Sequence, residues 1–332
     1  MVAHATRTRS SFSGLRRIHA ARDLAGVSAL IEQAFADEMD SGGRNAVREM
    51  RWLGRLGFLF GWLDAITPPG EGMIPGFVWI EDRRIVGNAT VRRLSTFGQG
   101  WMIGNVAVAP DLRGQGIGRS LVTACVDLAR ERNAEWIALQ VRSDNAIARK
   151  LYQSMGFQDM GESIQLQRSD SVDRVAPPEQ PVEGQLRAAR PADTDQIYAL
   201  AQSTVTEAMR WAEPLHRTDF ELGLERRISN QLIGTEAVWR VVESGGQIWG
   251  AAVAEVNRWS QRGQVRLWVA QPRMGRIEAM LIDSVLAEMR TPIRSIAARI
   301  AGQQIAGREA LEARGFKLIR ALTHMRLNLR QA

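Results

Sequence analysis

Three glycines at alternating positions stand in the run Arg113-Gly114-Gln115-Gly116-Ile117-Gly118-Arg119. The run lies between a strand pattern ending at Val106-Ala107-Val108 and a helical pattern that follows it. Glycine lets a backbone take positive φ and approach a ligand closely. The first amides of the next helix have no intrahelical carbonyl, and with the positive end of the helix dipole they form an anion site. A diphosphate suits such a loop. A Walker-type loop would need Gly-Lys-Ser/Thr, a triplet the chain lacks. A dinucleotide fingerprint would open the first strand-helix-strand unit, whereas this loop falls late in its half.

Other reactive side chains are sparse. Tyr152 is one of only two tyrosines, and a phenol with a pKa near ~10 is protonated at neutral pH and able to donate. Cys125 is the only cysteine, lies on the apolar face of its helix, and reads as packing rather than as a nucleophile. The four histidines, His4, His19, His216 and His324, have no metal-ligand spacing, so no metal is expected. Asn88-Ala89-Thr90 spells a glycosylation signal that has no meaning in a cytoplasmic protein.

The elements that must hold the loop can be read around it. Phe77 to Gly87 reads as two alternating strands about a polar turn. Ser120 to Asn133 carries apolar residues at i, i+4, i+7 and reads as a helix, followed by a short strand at Trp136 to Val141. Ala146 to Met155 reads as a second helix, capped by Asp144 or Asn145 and stopped at Gly156. An α/β fold with a mixed sheet flanked by helices is expected.

The stretch Val106 to Gly118, with its V-x-V-x-P strand and its Arg-Gly-x-Gly loop, resembles the acetyl-CoA motif of the GNAT superfamily of N-acetyltransferases. Asn145 to Phe157, NAIARKLYQSMGF, is similar to the family's second signature. The likeness covers most of residues 15 to 168 and is nearest to the ribosomal-protein N-terminal acetyltransferases. It implies that Val106, Ala107 and Val108 hold the pantetheine arm and acetyl carbonyl. It implies further that Arg113 and the amides of Gly114, Gln115, Gly116, Ile117, Gly118 and Arg119 hold the diphosphate, with Asn145 contacting acetyl-CoA from the other side. Tyr152 matches the tyrosine that protonates the departing thiolate. Gln140 stands where the ribosomal-protein enzymes carry Glu, so the base must be water, a backbone carbonyl, or a carboxylate such as Glu38, Glu49 or Glu81. The hydrophobic segment Arg44 to Pro69 falls where the family builds an acceptor-side helix and loop.

The second half echoes the first. Ile18 to Arg22 is matched by Leu186 to Arg190, Phe77 to Gly87 by Val238 to Gly250, and Arg149 to Phe157 by Arg308 to Phe316, the mark of a tandem duplication. At the loop position the second half reads Pro272 to Ala279, a few residues shorter and with one glycine, and Leu311 replaces the tyrosine. The expected organisation is a disordered leader at 1–13, a catalytic GNAT domain at 14–168, a proline-containing linker at 169–185, and a degenerate GNAT-like domain at 186–332. Tandem GNAT proteins pair an active with a degenerate domain in this way.

Composition sets the outer bounds. The 332 residues carry a charge of +7 from 43 basic and 36 acidic residues, with Lys150 and Lys317 the only lysines. The charges are interspersed, so no nucleic-acid partner is expected, and no apolar run is long enough for a membrane span. The partners implied are acetyl-CoA and an amine acceptor, either a small molecule or a protein, in the cytoplasm. The chain is expected as a monomer with a pseudo-dimer of domains, or as a homodimer. The other function consistent with a missing base is a non-catalytic acetyl-CoA binding or sensing protein.

Overall fold

The computed structural model describes residues 12–34, 75–94, 99–169, 184–206, 210–211 and 214–330. The leader to residue 11, the segment Arg44 to Pro69, and linker residues 170–183 lie outside the described residues. The chain divides into two compact units. The first comprises Met1–Gln140, Gln153–Phe157 and Arg326–Ala332, and the second Val141–Tyr152 and Gln158–Met325.

In the first unit, strand β1 (Gly14–Arg17) leads into helix α1 (Ala20–Ala34), and β2 (Gly76–Glu81), β3 (Arg84–Arg93) and β4 (Gly100–Val108) form an antiparallel meander. Helix α2 (Ile117–Glu131) returns the chain to β5 (Trp136–Arg142), which runs parallel to β4. Val27 and Ile31 of α1 pack on Val78 and Ile80 of β2. Helix α2 buries Ile117, Leu121, Val122, Cys125 and Val126 along one face, the stripe that its sequence period requires. Burial pushes the Cys125 thiol up to about 12, which leaves it protonated and inert. Helix α3 (Ala146–Ser154) ends before Gly156, whose φ of 89° is the left-handed stop that glycine allows.

The second unit takes in β6 (Gln158–Arg168), the last strand of the first repeat. It pairs antiparallel with β11 (Ser295–Ala301), from Arg168 opposite Ile296 to Ser163 opposite Ala301. Around it stand β7 (Gln185–Ala188), α4 (Thr194–Thr204), α5 (Leu224–Leu232), β8 (Thr235–Ser244), β9 (Gln247–Asn257) and β10 (Arg262–Val269). Helices α6 (Glu278–Ala287) and α7 (Ile305–Glu312) and strand β12 (Lys317–Asn328) complete it, in the strand order β12-β6-β11-β10-β9-β8-β7. One core layer lies under α6 around Leu281, Ile282 and Val285. Another lies under α4, where Phe220 packs among Trp239 and Trp268, whose rings stack 6.0 Å apart.

The repeat is visible in a detail that the sequence echo misplaced. Arg16, opposite Val78 on β2, makes a paired ion contact to the buried Asp23 at 2.5 and 2.7 Å. Arg187, opposite Val241 on β8, does the same to Asp193 at 2.7 and 2.9 Å. The equivalent of Leu186-Arg187 is therefore Leu15-Arg16, not Ile18-His19. Both carboxylates also accept the amide that leads into the following helix, from His19 and from Arg190. Burial works to raise the Asp23 carboxyl, and the guanidinium and amide bonds outweigh it and hold it below its usual range. Among the described residues no helix is long and apolar enough to cross a membrane.

Candidate active site

The parallel pairing of β4 with β5 runs from Gly100 opposite Trp136 to Ile103 opposite Leu139 and stops there, although β4 continues to Val108. From Gly104 onward the β5-facing edge of β4 therefore has no strand to bond. On its other edge β4 pairs with β3, and the register slips by one residue between Asn88 and Thr90. The extra residue is Asn105, held at a φ of 51°, which marks a β-bulge that re-aims the strand. Asn88, fully buried, donates its side-chain amide to the Asn105 carbonyl at 2.9 Å, and Thr90 donates its hydroxyl to the Gly104 carbonyl at 3.0 Å. The Asn88 Oδ1 is buried with no hydrogen-bond partner among the described residues. Sequence reasoning took Asn88 only as part of a glycosylation signal and gave Asn105 no role, because a one-residue bulge leaves no mark on a strand's alternation.

After Val108 a short 3-10 turn, Pro110–Leu112, leads to the glycine loop. Gly114 and Gly116 both take a φ of 83°, and a side chain at either would meet nothing within 4 Å. Gly116 is the N-cap of α2, which therefore starts three residues earlier than its apolar pattern suggests. The first amide of that turn to find a backbone carbonyl is that of Ser120, on Gly116 at 3.0 Å. No backbone carbonyl among the described residues accepts from the amides of Gly114 to Arg119. Arg113 is exposed, with its Nε 3.4 Å from the Val108 carbonyl, and Arg119 donates to the Ser154 hydroxyl at 2.7 Å. Open left-handed glycines, unbonded amides and two arginines together fit the diphosphate of acetyl-CoA.

The first unit thus brings together Val106, Ala107, Val108 and Arg113 to Arg119, while Asn145 and Tyr152 fall in the second. Tyr152 is the one buried residue of α3, and burial pushes its phenol up to about 12. It is protonated throughout the neutral range, as a proton donor must be. Asn145 caps α3 by accepting the Ala148 amide at 3.0 Å. Of the carboxylates considered as bases, Glu81 closes the β2–β3 hairpin opposite Arg84, and Glu38 and Glu49 lie outside the described residues. A cleft of about 380 Å³ opens beside the bulge, walled by Leu24 and Val27 of α1 and by Thr90, Arg92, Met102 and Asn105 of the sheet.

The second repeat keeps the splay and loses the rest. Strand β10 pairs with β11 only from Arg262 to Val265, though it too continues, to Val269. Its pairing with β9 is unbroken from Arg262 opposite Asn257 to Val269 opposite Gly250, with no bulge. A side chain at Gly87 would strike Ile117 and Leu121, and one at Gly250 would strike Ile277 and Leu281, so Ile117 corresponds to Ile277 and Gly118 to Glu278. Counted from the matching strand ends Val108 and Val269, the second loop is shorter by one residue rather than by a few. Glu278 is buried, and its carboxylate accepts the amides of Gly275 at 2.9 Å and Ile277 at 3.3 Å. The loop's anion site is filled by the chain's own carboxylate.

Residues 43–157 match the profile of the acetyltransferase (GNAT) family. Over 55 residues it is 42% identical to the [ribosomal protein bS18]-alanine N-acetyltransferase of Escherichia coli K12, an overlap that covers 17% of this chain and 37% of that protein. The chain spans less than two fifths of the length of the first curated relatives it matches. Among solved structures, a GCN5-related N-acetyltransferase from Sphaerobacter thermophilus aligns with a TM-score of 0.64 at 16% identity, covering 96% of each chain. A tandem GNAT protein from the clavulanic acid biosynthesis pathway aligns at 0.53 and 15% identity, covering 96% of this chain and 99% of that one. At such identities the likeness is one of fold, and it runs through both repeats.

Proposed function

We propose that the chain is an acetyl-CoA-dependent N-acetyltransferase that moves an acetyl group directly to a primary amine. In this reading 14–168 is the catalytic domain and 186–332 a degenerate companion. The observation that carries it is the open glycine loop, whose amides have no backbone acceptor among the described residues while two of their counterparts in the second repeat bond Glu278.

Acetyl-CoA would supply an acetyl group activated as a thioester. The amides of Gly114 to Arg119, with Arg113, would hold its diphosphate. The unpaired edge of β4 at Val106, Ala107 and Val108 would donate to the acetyl carbonyl, where amides fixed in advance favour the charge that develops during transfer. Tyr152 would give its proton to the sulfur. The described part of β4 and Gln140 carry no titratable side chain, so the amine's proton would pass to water or to a backbone carbonyl.

Calorimetric titration with acetyl-CoA tests the reading on the wild type and on Gly116→Glu, which puts a charged side chain where φ is 83°. The wild type is expected to bind and the variant not. Because the bulge and loop lack a base, a non-catalytic acetyl-CoA sensor is the second reading. It would be favoured by binding without free-thiol release for any amine, together with a Tyr152→Phe variant that behaves as wild type.

A further inference from the structure

We infer that the acceptor is an amine that also carries a carboxylate, an α-amino acid with an apolar side chain, and that Arg92 holds the carboxylate. The inference rests on the proposed transfer reaction and names the substrate class of that same site. The cleft beside the bulge has a volume of about 380 Å³, the size of a small-molecule site rather than of a protein-docking groove. Leu24, Val27 and Met102 make its described walls apolar, and Thr90 and Asn105 mark the end at the bulge. Arg92 is the one charged residue among those lining it, and no acidic side chain is among them.

That charge distribution discriminates between amines. A polyamine or aminoglycoside keeps further positive charges after one nitrogen is acetylated, and each calls for a carboxylate or carbonyl in the wall. The described wall offers a cation instead. Arg92 is exposed, and among the described residues its side chain meets the Met102 sulfur at 3.5 Å. Among the described residues it has no carboxylate partner, so its planar fork of donors is available to a ligand carboxylate. Arg92 and Thr90 project from the same face of β3, two residues or about 7 Å apart by strand rise. A carboxylate on Arg92 therefore leaves the amine of a small acceptor near the bulge. In the transfer the acceptor nitrogen bonds to the acetyl carbon and the carbon–sulfur bond breaks. The ammonium gives up two protons, one ending on the thiol and one in solvent.

The test begins with calorimetry, which reads acetyl-CoA binding without reference to the acceptor. Free-thiol release is then followed for the twenty standard amino acids, leucinamide, spermidine and a peptide with an N-terminal alanine. The expected result is turnover with apolar amino acids such as leucine and little with leucinamide, spermidine or the peptide. In Arg92→Gln, KM for the amino acid should rise roughly 10- to 100-fold, as loss of a charged hydrogen-bonded contact implies, with kcat changed by less than about threefold. Arg92→Glu should prefer leucinamide to leucine. If acetyl-CoA binds but no amino acid is acetylated, or the amides and polyamines serve as well, the acceptor class is wrong and the transferase reading stands. Unchanged amino-acid KM in Arg92→Gln removes Arg92 from the site, and failure of the wild type to bind acetyl-CoA removes both readings.

Discussion

In the first repeat the loop between β4 and α2 leaves its amides without a backbone acceptor among the described residues, whereas the loop between β10 and α6 turns the amides of Gly275 and Ile277 onto Glu278. Both repeats keep the splay, with four residues of parallel pairing followed by an unpaired strand end. A scaffold feature shared by both repeats therefore cannot by itself define a site. What separates the repeats is local: a second left-handed glycine in the loop, a one-residue bulge, a tyrosine in place of a leucine, and a carboxylate placed where the other loop has Gly118.

The largest expected effect comes from moving that carboxylate. Gly118→Glu gives the first loop the residue of the second, and its side chain should bond the amides that would otherwise receive a diphosphate. Affinity for acetyl-CoA is expected to fall on the order of 10³-fold, about 4 kcal/mol. Gly118 lies within the first turn of α2 and not among the residues of positive φ. Glutamate there adds helix propensity and favours the helix dipole, so the variant should unfold at the same or a higher temperature. Loss of binding with a lowered melting temperature would mean simple damage, and retained binding would break the equivalence of the two loops.

A second contrast concerns what the second unit holds in its core. His324 on β12 is fully buried, with Nε2 2.9 Å from the Ser163 hydroxyl of β6 and its ring edge-on to Trp211. Burial first, and then the nearby Arg299, push its pKa down to about 4 against a weaker opposing pull from Glu162. The unfolded chain protonates this histidine near pH 6.5, so its contribution is complete above that and is lost as pH falls from 6.5 to 4. The loss amounts to an order of 3 kcal/mol. The protection of amides in β6 and β12, corrected for the intrinsic pH dependence of exchange, should fall across this window in the wild type and stay flat in His324→Phe. Equal pH dependence in both would remove His324 as the cause.

Tyr152 and Leu311 make the next comparison. Tyr152→Phe keeps the buried ring and removes the hydroxyl proposed as the proton donor, so turnover should drop by roughly 10² with acetyl-CoA affinity unchanged. An unaltered turnover would place proton delivery elsewhere.

The glycine loop was legible because its chemistry is written in residue type. Glycine is called for at Gly114 and Gly116 by their φ of 83°, and no other residue fits there as cheaply. The helix that ends before Gly156 was legible for the same reason, and its observed span, Ala146–Ser154, is one residue shorter than its pattern. The bulge was not legible, because Asn105 adds one residue to a strand without changing which residues are apolar. Asn88 was read as part of a glycosylation signal, since its partner, the Asn105 carbonyl, is 17 positions away and defined only by strand pairing. The echo of Ile18 to Arg22 in Leu186 to Arg190 slipped by three residues because an apolar residue followed by a basic one occurs twice near β1. Only the ion pairs to Asp23 and Asp193 select the right one.

The smallest effect tests whether Glu278 is a relic or a working part of its loop. If the carboxylate has replaced a lost ligand, Glu278→Gln should leave two loop amides with one weaker acceptor and destabilise the second unit by about 1 kcal/mol. It should not confer acetyl-CoA binding. The loop is one residue shorter, Gly275 is its only residue at positive φ, and Arg276 directly precedes Ile277 where Gly116 precedes Ile117. Chemical denaturation of the variant, followed with and without acetyl-CoA, reads both quantities in one experiment. A denaturation midpoint that rises with acetyl-CoA beyond the wild-type response would show that one side chain alone keeps the second site closed. The bulge and the missing glycines would then be secondary losses.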